Sequence, residues 1–478
     1  MTNDATWVPC PLRAAARSSP GAPAVVGVGG EITYGELDSR VTVTADRIRE
    51  LGFGVGDRIA LYLPKDGRYL VLLLALIRAG CAACPLSTRL PPQGVASLLK
   101  KVGCRALISS DEAILGATDA AVRKLPPETL LAEELARDRM QSSGPLQLAL
   151  DLPATIVFTS GSAGEAKAAL HTFGNHYFSA LGSNANIALS PGDRWLHSLP
   201  IYHVGGLSIL FRCLLAGATV ALPDASPGGA VAGATHVSLV STQLLRLLRE
   251  GDLSPGGLKA VLLGGGPVPV WLVDEAAGRG LPIHTSYGLT EMASQVTATP
   301  PDASREALRT SGRPLPHREL SISDSGEILV KGETLFAGYV ESDIVDRPLD
   351  MDGWFHTGDL GELDAGGYLH VRGRKDNLFI SGGENVQPEE IEDALCRLEG
   401  VEEAVVVPVP DAEFGARPVA FVRTVRVEPE SLALALEPLL PRFKIPAAFH
   451  GWPEETGGMK VDRASLRERA LRLSQRQD

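Results

Sequence analysis

Disulfide-stabilised folding has little to draw on in this chain. Its 478 residues contain six scattered cysteines, Cys10, Cys81, Cys84, Cys104, Cys213 and Cys396. Cys81 and Cys84 form one CxxC, but no second ligand pair accompanies it. A zinc site is therefore not expected, and both residues read as small buried side chains after a helix. Basic excess is missing too: the formal net charge is −12, which argues against a nucleic-acid-binding face. The longest apolar run, Tyr69 to Ile77, is too short to span a bilayer and reads as a buried helix. The start, MTNDATWVPC, lacks a basic stretch followed by an apolar one. No secretory leader is expected, and a cytoplasmic location is. Internal repeats and low-complexity tracts are also lacking.

What is present is an ordinary globular balance, 44% hydrophobic and 21% charged, on a chain long enough for two or more domains. TYGELDSRVTVTADRIRELG has apolar residues at helical spacing and stops at glycine. DRIALYLP, CRALISS, ATVALP, HVSLVST and KAVLLGGG read as short strands between helices. Such alternation predicts an α/β fold with largely parallel sheets layered with helices. From about Gly326 the pattern changes to alternating strands, GEILVKG and GYLHVRG, with LDAGG as a hairpin turn. After GRKDN a small α+β unit follows: NVQPEEIEDALCRLEG as a helix, then EEAVVVPVP and ARPVAFVRTV as strands. The expected division is residues 1–373 and 374–478. The polar segment Pro126 to Gly144 reads as a surface excursion.

Five segments could carry chemistry, and each alone also has an ordinary structural explanation. In IVFTSGSAGEAKAAL a strand runs into Thr159, Ser160, Gly161, Ser162, Ala163 and Gly164, with Lys167 close behind. Glycines let backbone N–H groups approach phosphate, hydroxyls add donors and lysine adds charge. It is not a Walker loop, because Lys167 is neither preceded by glycine nor followed by Ser or Thr. In HTSYGLTEMAS, Tyr287, followed by Gly288, offers an aromatic face, Thr290 a hydroxyl and Glu291 a hard oxygen suited to Mg²⁺. In DGWFHTGDLGELD, Asp359 reads as a turn residue able to accept hydroxyl hydrogen bonds. In GRKDNLFISGGENVQPEEIE, Arg374 is a fork-shaped donor, Asp376 stands where the architecture changes, and Pro388 opens a helix. In EETGGMKVDRASL, Lys460 lies in a glycine-flanked loop before a final helix.

In this order, from ITYGEL to KVDRASL, the segments resemble the adenylate-forming superfamily of acyl-CoA synthetases, luciferases and nonribosomal peptide adenylation domains. The resemblance implies a large N-terminal domain with a β-rich subdomain and a small mobile C-terminal domain hinged at Asp376. It implies ATP, Mg²⁺ and CoA as reactants with a small carboxylic acid, and two steps through an acyl-adenylate. By motif position, Thr159 to Lys167 look like the β- and γ-phosphate loop and Tyr287 like the residue beside adenine. Thr290 looks like a phosphate contact, Glu291 like the Mg²⁺ ligand, Asp359 and Arg374 like the ribose pair. Lys460 looks like the lysine bridging carboxylate and nucleotide. DNLFISGGENVQPEEIE, LPIYHVGGLSILFR, STQLLRLL, VLLGGGPVP and YGLTEMAS are most similar to o-succinylbenzoate–CoA ligases of quinone synthesis.

That resemblance implies an aromatic dicarboxylate whose unreacted carboxylate needs a buried donor. Arg212 is the candidate, His203 the residue lining the acyl pocket, and Gly264, Gly265 and Gly266 a flat backbone platform. Ala163 and Ala166 stand where the family loop usually has Thr and Pro, and Met459 where it usually has Gly. Other aryl-CoA ligases, an enzyme loading a carrier protein or an amine, and a catalytically weakened binding or regulatory relative remain open. So does homo-oligomerisation.

Overall fold

The computed structural model describes residues 6–27, 30–131, 144–159, 166–223, 233–251, 253, 256–411, 413–424, 429–453 and 462–474. Among these residues two large sheets dominate. One runs in the order Ile344–Asp346, Gly338–Glu341, Lys167–Thr172, Pro153–Thr159, Ala82–Pro85, Arg58–Tyr62, Ala106–Ser109, Arg123–Leu125. The other runs Arg313–Pro314, Ser294–Ala298, Ile283–Leu289, Ala260–Leu263, His236–Leu239, Arg194–Leu196, Thr219–Ala221, Pro23–Gly27, Gly30–Thr33. The first is antiparallel at one edge and parallel through the rest, whereas the second is parallel at the centre and antiparallel at both edges. The predicted α/β class with layered helices is therefore what the chain adopts.

The helices form where the residues favour them. Thr33 and Glu36 make a reciprocal capping box at the start of the Tyr34–Glu50 helix. Gly80, at φ 92°, ends the Gly67–Ala79 helix in a left-handed turn. One apolar core joins both sheets through these helices and Phe173–Asn186 and Val204–Ala216. Asp38 accepts from Arg13 at 2.5 Å and Arg78 at 2.8 Å, tying three helices inside that core. The cysteines are free, and Cys81 and Cys84 are fully buried as expected. Within Pro126–Gly144 only residues 126–131 and 144 are described. There the surface reading needs correction, because Leu130 is 0% exposed and joins the core.

A four-stranded antiparallel sheet follows: Glu319–Ile322, Glu327–Lys331, Phe355–Leu363 and Leu369–Arg374. Beyond it, the Phe379–Ser381/Glu384–Val386 hairpin precedes the Pro388–Cys396 helix, which carries proline in its first turn as predicted. The strands Val401–Asp411, Gly415–Thr424 and Ala448–Gly451 then build a small sheet with its own apolar core. No described helix is long and apolar enough to cross a membrane.

Candidate active site

Parallel strands deliver side chains and backbone at their carboxyl ends, where open α/β sheets bind ligands. The segment from His197 follows Arg194–Leu196, the glycine triplet follows Ala260–Leu263, and Tyr287 lies at the end of Ile283–Leu289.

Three predicted nucleotide residues meet. The Tyr287 hydroxyl donates to Asp359 Oδ2 at 2.6 Å, and Arg374 Nη1 donates to Asp359 Oδ1 at 2.9 Å. Arg374 also donates to the Thr357 carbonyl at 2.9 Å and to Asp376 at 3.2 Å. Burial and the Asp359 charge push the Tyr287 phenol well above its usual range, so it stays a donor. Asp359 corrects the turn reading: it lies within the Phe355–Leu363 strand, directly opposite Arg374. The ladder, more than loop chemistry, sets this pair. Gly288 is required here, since a Cβ would lie 2.2 Å from the Ser294 carbonyl oxygen.

Beside this corner Thr290, Glu291 and Met292 form a short 3₁₀ turn. Glu291 Oε1 accepts from the Tyr339 hydroxyl at 2.5 Å, and Lys167 Nζ sits 5.0 Å from the Tyr339 ring centre. His171 Nε2 donates to the Thr290 carbonyl at 2.7 Å, and burial lowers the His171 pKa to about 4. Tyr339 was not among the sequence candidates; nothing around it in FAGYV marks it as functional. The donor set fits Mg²⁺. Glu291 is one half-buried carboxylate oxygen donor, suiting an ion that takes its other ligands from phosphate and water. Thr159 and Lys167 face each other across an antiparallel hairpin. Ser160, Gly161, Ser162 and Gly164 between them lie outside the described residues, as does Lys460.

Of the predicted acyl-pocket residues, Arg212 is 1% exposed, so it is no surface arginine. Its guanidinium lies 5.0 Å from the Trp195 ring centre and donates to Ser294 Oγ and Gln295 Oε1, while its buried Nε has no partner among the described residues. Burial lowers its pKa to about 10, leaving it charged at neutral pH. His203 is exposed, packs edge-on against Tyr202 at 4.7 Å, and precedes the Val204–Ala216 helix that carries Arg212. Gly264 packs against strand Ile283–Leu289, where a Cβ would lie 2.7 Å from Ser286 Oγ. Gly265 takes φ 85°, and Gly266 faces open space. Lys65, also absent from the sequence candidates, donates to the His197 and Leu199 carbonyls; burial lowers its pKa to about 8.

Comparison with known proteins places these features in context. Residues 12–340 match the AMP-binding enzyme family and residues 390–452 the AMP-binding enzyme C-terminal domain. The 2-succinylbenzoate–CoA ligase of Bacillus licheniformis is 33% identical over 466 residues, covering 92% of this chain and 95% of its own. The o-succinylbenzoate CoA synthetase of Bacillus subtilis, solved with the acyl-adenylate OSB-AMP, superposes with a TM-score of 0.85 at 31% identity, covering 96% and 98%. The same enzyme, solved with ATP and magnesium, gives 0.83 at 32%, covering 93% and 96%.

Proposed function

Because the chain belongs to the AMP-binding enzyme family, we propose that it joins 2-succinylbenzoate to CoA in two steps, through an acyl-adenylate. The observation that carries the substrate is Arg212, a buried cation whose described partners are neutral oxygens. Such a group favours an incoming carboxylate, and 2-succinylbenzoate keeps one after the other has reacted. The relatives named for that acid support the same choice.

In the first step a carboxylate oxygen attacks the α-phosphorus of ATP and pyrophosphate leaves. Asp359 and Arg374 hold the ribose, with the Tyr287 ring alongside adenine. Glu291 would hold Mg²⁺ together with phosphate oxygens, and the ion would screen the charge on the departing pyrophosphate. Thr159, Lys167 and the loop between them take the β- and γ-phosphates. Attacking carboxylate and phosphate repel each other, and Lys460 neutralises that repulsion as charge develops. In the second step the CoA thiol sulfur attacks the acyl carbon, a thioester forms, and AMP departs.

Lys460 must then leave, which is the task of the C-terminal unit, residues 374–478, turning about Asp376. Two features support this division. The Arg374–Asp376 pair stands between the two units at 3.2 Å. Arg463, three positions beyond Lys460, grips Glu392 through two hydrogen bonds of 2.6 and 2.7 Å, both residues belonging to the C-terminal unit. CoA as acceptor, over a carrier protein or an amine, rests on the named relatives.

The test separates the half-reactions. Lys460→Ala is expected to slow adenylation on the order of 10² to 10³-fold while CoA thioester formation from synthetic acyl-adenylate proceeds nearly as before. Equal loss in both half-reactions overturns the assignment of Lys460. Absence of any CoA thioester with the unaltered protein overturns the ligase reading.

A further inference from the structure

Arg212 is not held in place alone. Its Nη2 donates to Gln295 Oε1 at 2.8 Å, and that same oxygen accepts from Ser183 Oγ at 2.8 Å. The amide orientation is thereby fixed, because a flipped Gln295 would set its NH₂ against a guanidinium. Gln295 is 4% exposed, and its Nε2 has no hydrogen-bond partner among the described residues. A polar group is left unsatisfied in the interior so that its oxygen can face Arg212, an unfavourable arrangement unless something depends on it.

A second buried cation stands behind the first. Arg318, 6% exposed, donates from Nε to the Gln295 carbonyl at 2.6 Å. It also donates from Nη1 to the Pro316 carbonyl at 2.7 Å, and from Nη2 to the Ser179 carbonyl and hydroxyl at 3.0 and 3.2 Å. Every one of these acceptors is neutral. Among the described residues neither Arg212 nor Arg318 forms an ion pair. Burial lowers Arg318 to about 9, and the nearby Arg212 charge pushes it further in the same direction. Glu333 acts on Arg318 in the opposite sense, but no carboxylate among the described residues bonds either guanidinium; two buried like charges so placed weigh against the fold, and an anion beside Arg212 offsets part of that.

We infer that Gln295 and Arg318 determine specificity for acids carrying a second carboxylate. Gln295 is the positioning residue that aims the Arg212 guanidinium, and Arg318 supplies a second positive charge that strengthens the field at the same point. The inference rests on Arg212 meeting that carboxylate.

The experiment compares steady-state adenylation of 2-succinylbenzoate with that of a monoacid lacking one of its carboxylates, 4-oxo-4-phenylbutanoate or 2-butanoylbenzoate, whichever is turned over. Gln295→Glu places a carboxylate against the Arg212 guanidinium, where it competes with the substrate's own. It is expected to raise KM for the diacid about tenfold or more, with kcat changed far less and monoacid KM held or lowered. Arg318→Met is expected to raise diacid KM in the same selective way, and Arg318→Lys to restore part of it. Because Gln295→Glu neutralises buried charge, its melting temperature should not fall.

Equal KM shifts for diacid and monoacid in Gln295→Glu and Arg318→Met would reduce both residues to packing and overturn the inference. If those variants shift neither KM while Arg212→Leu still loses diacids selectively, the inference fails and the Arg212 reading stands. If Arg212→Leu itself affects both acids alike, the underlying reading fails as well.

Discussion

The nucleotide corner and the acyl pocket handle charge in opposite ways. At Tyr287, Asp359 and Arg374 the carboxylate already has a phenol at 2.6 Å and a guanidinium at 2.9 Å. The corner is internally neutralised, so the nucleotide proposed to bind there would enter an existing network. At Arg212 and Arg318 two guanidiniums rest on neutral oxygens only. The first arrangement gives a rigid frame for a reactant common to the whole family. Under the proposed function the second leaves an electrostatic imbalance that a particular acid would correct, which is where discrimination between acids belongs.

Substitutions at the two places should therefore fail differently. The largest effect is expected for Arg212→Leu, with kcat/KM for 2-succinylbenzoate falling about 10²-fold, the size of a lost buried charged hydrogen bond with its partner stranded. The same variant should leave the ATP KM unchanged; a shift in ATP KM would erase the contrast between the two regions. Asp359→Ala should do the reverse, raising the ATP KM about tenfold with little change in acid KM, read by varying each substrate in turn. An equal rise in acid KM would mean the corner is not a separate module.

The smallest effect is on stability. The acyl side and its neighbour at Thr290 contain histidines held neutral by burial: His171 at about 4, His176 well below its usual value, His197 at about 3. Their folded pKa values lie below the unfolded 6.5, so between those limits the unfolded chain binds more protons and stability falls as pH falls. Each contributes at most about 1.4 kcal/mol per pH unit below 6.5. Urea midpoints measured from pH 7 to pH 5 should decline, and His171→Asn should flatten the decline. A flat profile in the unaltered protein would remove the low-dielectric wall that the comparison assumes.

The sequence disclosed the frame better than the wiring. The helix that stops at Gly52 and the helix start at Pro388 were legible because each depends on residues within a few positions. Tyr287, Glu291, Asp359 and Arg374 were legible through motif resemblance, which also pointed to Arg212. What stayed hidden was the set of partners. Gln295 lies 83 residues from Arg212, and Tyr339 lies 48 from Glu291. No local pattern records such a contact, because sheet order decides it. Asp359 was misread for the same reason: Thr357-Gly358-Asp359 has turn composition, yet pairing with the following strand holds it extended.

The account depends on an acid being activated by ATP before any thiol arrives. The direct measurement is exchange of labelled pyrophosphate into ATP with 2-succinylbenzoate present and CoA absent. Saturable exchange dependent on Mg²⁺ and on the acid is the expected result. Label entering ATP only after CoA is added, or not entering with any aryl acid, would contradict it.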